Sequence, residues 1–197
     1  MEIKVLPVGA YEANCYILLD ENTKEAAVID PGDSGKFIID TIKDLKCKVK
    51  YIILTHGHLD HTGAVDDLKK EFNAPVCINE KDEKLASKSS FIFGEIKSDK
   101  YIKEGDILEI GNIKLKCIET PGHTPGGMSF LVDNIVFTGD TLFFCSIGRT
   151  DFEGGDYSTI INSIKTKLTV LPDDTIVLPG HGPKSSIKNE KMNNPFL

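Results

Sequence analysis

The stretch Thr55-His56-Gly57-His58-Leu59-Asp60-His61 decides how this chain is read. Three of the five histidines and a carboxylate fall within six residues, directly after the apolar run Tyr51-Ile52-Ile53-Leu54. A short apolar run of this kind reads as a parallel strand buried on both faces. The loop leaving it can turn His56 and His58 toward one point. Asp60 and His61 follow at the start of the next helix and can face a second, adjacent point.

The remaining histidines share a different setting. His123 lies in Pro121-Gly122-His123-Thr124-Pro125-Gly126-Gly127, and His181 in Pro179-Gly180-His181-Gly182-Pro183. Each follows an apolar strand, and the flanking glycines let the backbone turn tightly. Asp140 ends the run Ile135-Val136-Phe137-Thr138-Gly139, where a carboxylate can bridge two cations with one oxygen each. A donor set of imidazole and carboxylate suits zinc, iron or manganese. Lacking thiolates, it points to a catalytic rather than a structural site.

Outward from this cluster the pattern alternates. Strands are expected at 3–8, 14–20, 25–30, 49–54 and 75–78, with helices at 36–45, 62–72 and 79–85. Further strands are expected at 107–110, 113–120, 127–132, 135–138 and 175–178, with helices at 157–168 and 185–193. Strand-rich blocks precede each of two helical regions, so two sheets with helices outside fit better than one open sheet. Residues 86–103 are irregular, and Phe91-Ile92-Phe93 reads as an exposed apolar strip serving an interface or a substrate flap.

The 197 residues suffice for one well-buried core, expected as a single domain over 1–197. Net charge is −7, which gives no support for a nucleic-acid-binding face. Five cysteines at long spacings do not form a disulfide framework, and no apolar run is long enough to span a bilayer. A cytoplasmic protein without membrane or nucleic-acid partners is expected, as monomer or homodimer.

His56-Gly57-His58-Leu59-Asp60-His61, followed in order by His123, Asp140 and His181, resembles the HxHxDH signature and full ligand set of the metallo-beta-lactamase superfamily. The resemblance implies an α/β fold, an αβ/βα four-layer sandwich of two mixed sheets with helices on both outer faces. Gly139-Asp140-Thr141-Leu142-Phe143 and the segment from Cys145 to Phe152 resemble the short bacterial glyoxalase II-like hydrolases. No separate C-terminal helical domain for glutathione is expected.

The resemblance implies two divalent ions, zinc foremost, with iron or manganese accepted by the same donors. His56, His58 and His123 would hold one ion, Asp60, His61 and His181 the other, and Asp140 would lie between. A metal-bridging hydroxide would attack a small acyl thioester such as S-D-lactoylglutathione. Asp60 is the expected catalytic residue, orienting the nucleophile. Arg149, the only arginine, is expected at the substrate with Phe152 and Cys145, or in a salt bridge to Asp151 or Glu153. The same scaffold leaves two alternatives: a mononuclear iron persulfide dioxygenase using His56, His123 and Asp140, and a lactonase using all seven ligands.

Overall fold

The computed structural model describes residues 1–88 and 92–197. β1 (Glu2–Val8), β2 (Ala13–Leu19) and β3 (Glu25–Ile29) form an antiparallel meander. α1 (Gly35–Asp44) crosses to β4 (Lys48–Ile53), which runs parallel to β3. α2 (Leu59–Thr62) and α3 (Val65–Phe72) lead to β5 (Val76–Ile78), and α4 (Glu80–Ala86) precedes the short β6 (Lys100–Tyr101). These six strands make one sheet in chain order.

β7 (Ile107–Ile110), β8 (Ile113–Glu119), β9 (Met128–Val132) and β10 (Ile135–Gly139) form a second meander. A small hairpin follows, β11 (Leu142–Phe143) with β12 (Ser146–Ile147). α5 (Tyr157–Ser163) continues into a π-helical turn at Ile164–Leu168. β13 (Ile176–Pro179) then returns parallel to β10, and β14 (Ser185–Ser186) and α6 (Ile187–Asn193) finish the fold. The second sheet runs β14-β13-β10-β9-β8-β7.

β2 shows why the layers stack as they do. Its seven residues are all buried, because both faces are covered. Cys15, Ile17 and Leu19 pack toward Ile38 and Ile42 of α1 and Leu68 of α3. Tyr16 and Leu18 point the other way, into an inter-sheet core with Leu115, Phe130 and Phe137. α5, the π-helical turn and α6 cover the outer face of the second sheet through Ile160, Ile164, Leu168 and Ile187. The result is the expected αβ/βα four-layer sandwich, with two mixed sheets and helices on both outer faces.

Several local expectations are corrected. The helix expected over 62–72 is two pieces, starting at Leu59 and interrupted at Gly63-Ala64. The Ala64 N–H donates to the Pro31 carbonyl instead of continuing the helical ladder. Gly63 and Gly32 permit this close crossing: a Cβ on Gly63 would press on the Gly32 carbonyl oxygen, and one on Gly32 on the Asp60 carbonyl oxygen. The helix expected over 157–168 changes to π geometry at Ile164, and that over 185–193 begins as a two-residue strand. Of the strip Phe91-Ile92-Phe93, Phe91 lies outside the described residues. Phe93 is buried, and its backbone bridges to His58. No described helix is long and apolar enough to cross a membrane.

Candidate metal centre

The loops at one end of the two sheets bring all five histidines together. His56 and His58 leave β4, and Asp60 and His61 sit on α2. His123 comes from the β8–β9 loop, Asp140 from the end of β10, and His181 from the loop after β13. Asn14 fixes the last of these loops. Its side-chain amide donates to the Pro179 and Gly182 carbonyls at 3.0 Å each, while the Tyr16 hydroxyl donates to Pro179 at 2.7 Å.

Two groups of donors form. His56, His58 and His123 make one; Asp60, His61 and His181 make the other. Asp140 lies between, with carboxylate oxygens 3.4 Å from His61 Nε2, 3.5 Å from His123 Nε2 and 3.7 Å from His181 Nε2. Asp60 Oδ2 is 3.2 Å from His181 Nε2 and 3.8 Å from His61 Nε2. Asp30, His56 and His61 form a third close set, with Asp30 behind the centre.

The outer ring nitrogens decide which atoms face inward. His61 Nδ1 donates to Asp30 Oδ2 at 3.0 Å and His123 Nδ1 to the Arg149 carbonyl at 2.7 Å. His181 Nδ1 donates to the Tyr11 carbonyl at 3.0 Å. Thr55 gives its hydroxyl proton to Asp30 at 2.6 Å and so accepts from His56 Nδ1 at 3.0 Å. In these four rings the proton is held outward, which leaves the Nε2 lone pair for the centre.

Lone pairs therefore converge. His61 Nε2 and His181 Nε2 stand 3.2 Å apart, an approach that needs a positive charge shared between them. His58 Nδ1 is 2.9 Å from His123 Nε2. His56 Nε2, His58 Nε2 and Asp140 Oδ1 are buried without a hydrogen-bond partner. His56 Nε2 and Asp140 Oδ1 are buried acceptors, costly unless a cation satisfies them, so the donor set fits metal ions.

Charge divides the site into two unlike halves. Burial, reinforced by the neighbouring imidazoles, holds His56 well below the ordinary imidazole range and pushes His58 down to about 4. Burial also disfavours a charged His61, but Asp140 and Asp30 outweigh it and raise that imidazole. Asp140 and Asp60 are held low despite burial, by His61 and by the His181 hydrogen bond respectively. His56 and His58 are thus held neutral, the form of imidazole that can ligate a metal, whereas the carboxylates around His61 favour its charged form.

The expected substrate residues lie beside this centre to different degrees. Phe152 stacks edge-on to His58, with ring centroids 5.8 Å apart, and Phe93 lies at 4.7 Å. The Arg149 guanidinium sits 3.7 Å over the Phe152 ring and is bound by Asp151 through two bonds of 2.7 Å. Asp151, not Glu153, is therefore its acidic partner. Cys145 sits in the β11–β12 turn, where its thiol accepts from Asn189 and its N–H donates to Glu190 of α6. Sequence reading missed Asp30 and Thr55 as supports. Asp30 and Thr55 end apolar strands, a position that could have flagged both.

The sequence profile of the Metallo-beta-lactamase superfamily matches residues 8–181. Hydroxyacylglutathione hydrolase GloC of Haemophilus influenzae is 42% identical over 209 residues, covering 100% of this chain and 98% of that one. The BLEG-1 B3 metallo-beta-lactamase superposes with a TM-score of 0.92 at 35% identity, covering 100% of this chain and 99% of that one. TTHA1623 in a di-iron-bound form gives a TM-score of 0.86 at 30% identity, covering 98% of this chain and 100% of that one.

Proposed function

The chain belongs to the metallo-beta-lactamase superfamily and is closely related to hydroxyacylglutathione hydrolase-like proteins, and on that premise we propose that it cleaves small acyl thioesters, S-D-lactoylglutathione among them. It is a metal-dependent hydrolase of that family with a candidate binuclear centre. The observation that carries the reading is the convergence of imidazole lone pairs whose ring protons are pinned outward.

We assign His56, His58 and His123 to one ion, Asp60, His61 and His181 to the other, and Asp140 to both. Zinc is the proposed metal; the di-iron form of TTHA1623 shows that a similar protein accommodates two ions. When bound, two such ions supply a nucleophilic hydroxide near neutral pH and polarise the substrate carbonyl.

The protein's own groups do the rest. Asp60, half-buried, accepts a hydrogen bond from the attacking water and aims it. Phe93 and Phe152 flank His58 and restrict water on that side. Asp151 engages Nε and Nη2 of Arg149, which leaves Nη1 for one substrate carboxylate. The thiolate leaves without an acid to protonate it, since thiols are far stronger acids than alcohols.

The test is hydrolysis of S-D-lactoylglutathione by zinc-loaded protein. Turnover that a chelator abolishes and zinc restores supports the reading. Absence of turnover, with protein purified without added metal holding one iron per chain and consuming oxygen on a persulfide, would replace it with the dioxygenase. Turnover confined to lactones would replace the substrate class.

A further inference from the structure

One buried carboxylate near the centre takes no part in the assignments above. Asp82 lies in the first turn of α4, and no solvent reaches it. Its Oδ2 accepts from the Gly57 N–H at 3.0 Å and from the Thr124 hydroxyl at 2.8 Å. Its Oδ1 accepts from the Gly126 N–H at 2.6 Å. Gly57 stands between His56 and His58. Thr124 follows His123, and Gly126 closes the same loop. A single carboxylate therefore binds both loops that carry the three-histidine half. Its hydrogen-bond partners include no residue of the Asp60, His61 and His181 half.

The local packing leaves little room for anything else. A Cβ on Gly126 would lie 2.6 Å from Asp82 Oδ1, so the loop approaches the carboxylate as closely as a backbone can. The three donors fix the spacing of the two loops across the sheet-to-sheet gap. They also place a buried carboxylate behind the half of the site whose only ligating carboxylate is Asp140 and which Asp30 reaches through the Thr55 hydroxyl. The other half is supplied with Asp60 directly and with Asp30 behind His61. Burying a carboxylate raises its pKa, and the three donors work against that rise.

We propose that Asp82 is a positioning residue dedicated to the three-histidine half: it holds the His56–His58 loop and the His123 loop in register and supplies that half with its supporting negative charge. This rests on the two-ion reading given above. Groups that orient metal-binding side chains without touching the ion change affinity by about 10–100-fold when removed. Here the loss falls on one ion of the two.

The experiment is a zinc titration of metal-free protein against a chromophoric chelator, comparing wild type with Asp82→Asn. His58→Ala marks the step that belongs to the three-histidine half, and His181→Ala marks the step that belongs to the other. For Asp82→Asn, the His58-dependent step weakens about 10–100-fold and the other step keeps its wild-type affinity. Equal weakening of both steps, with a lowered melting temperature, overturns the proposal and leaves Asp82 as part of the general frame. Two unchanged steps overturn it as well.

Should Asp82→Asn fail to fold, Thr124→Val removes one of the three donors and keeps the carboxylate. The same single step then weakens by a smaller factor; no change, or an equal change in both steps, overturns the proposal. The wild-type curve tests the two-ion reading separately. If the wild type shows one step, that reading falls, and Asp82 stands or falls on whether Asp82→Asn weakens that step.

Discussion

Asp60 and His61 are neighbours in sequence with opposite electrostatic tasks. His61 is fully buried and held by Asp30, whereas Asp60 is half-buried at the edge of the cleft. An aspartate in the first turn of a helix has an ordinary reading as a stabiliser of the helix dipole. Its oxygen 3.2 Å from His181 Nε2 gives it a second task. Asp60→Asn keeps the shape and removes the charge. Turnover on the thioester falls about 100-fold or more, while the melting temperature of the metal-free protein stays near wild type. Unchanged turnover at full metal content would remove Asp60 from the chemistry. At this scale the sequence was informative for the donors, because five histidines in turn-rich settings have few other uses. It was silent on the outer contacts. Asp30 meets His61 and Thr55 only through chain segments that fold against each other, and Asn14 reaches a carbonyl 165 positions away.

Elements place those residues, and their interruptions matter more than their lengths. α2 lasts four residues because the backbone must cross Gly32 at Gly63. Gly63→Ala forces that crossing open. It weakens binding at the Asp60, His61 and His181 half more than at the other half, as read by the same two-step titration. Equal loss at both halves would show that the crossing serves the whole frame. Apolar periodicity carries straight through residues 62–72, so the break was invisible to it; it depends on a contact with a different loop. The two-residue strands β6, β11, β12 and β14 were equally hidden, since nothing that short has a period.

A second element-scale device lies away from the centre. Asp20, at the end of β2, accepts from the Asn112 N–H at 2.7 Å and from the Asn112 side chain at 3.0 Å, tying one sheet to the β7–β8 turn of the other. The Asn112 backbone bond is the main reason its pKa falls from 3.8 to about 2. A carboxylate with a depressed folded pKa stabilises above its unfolded pKa and loses that contribution as pH falls through the folded one. The urea midpoint of metal-free wild type therefore exceeds that of Asp20→Asn near neutrality, and the gap closes as pH drops from about 4 toward about 2. A gap independent of pH would assign the difference to packing instead.

The whole molecule sets two sheets face to face and gathers the donors where their loops meet. The first sheet supplies His56, His58, Asp60 and His61; the second supplies His123, Asp140 and His181. Ions bound between them bridge the halves of the sandwich, so metal binding is coupled to the stability of the fold. With free zinc at about 1,000 times its dissociation constant, each site adds about 4 kcal/mol. Chelation lowers the melting temperature by several degrees, and added zinc restores it. A melting temperature indifferent to chelator would mean that the frame holds the site unaided. The plan of two sheets with outer helices was legible in outline because strand-rich blocks precede each of two helical regions, residues 49–54 read as a doubly buried strand and residues 36–45 as a helix. The pairing of β13 beside β10 was not, since it joins segments some forty residues apart through α5.

The two-ion centre around Asp140 is tested most directly by an X-ray structure of zinc-loaded protein with anomalous scattering at the zinc edge. Two peaks are expected, about 3.5–4 Å apart on either side of Asp140. One would contact His56, His58 and His123, the other Asp60, His61 and His181. A single peak held by His56, His123 and Asp140, with none beside His61 and His181 at saturating zinc, would contradict it.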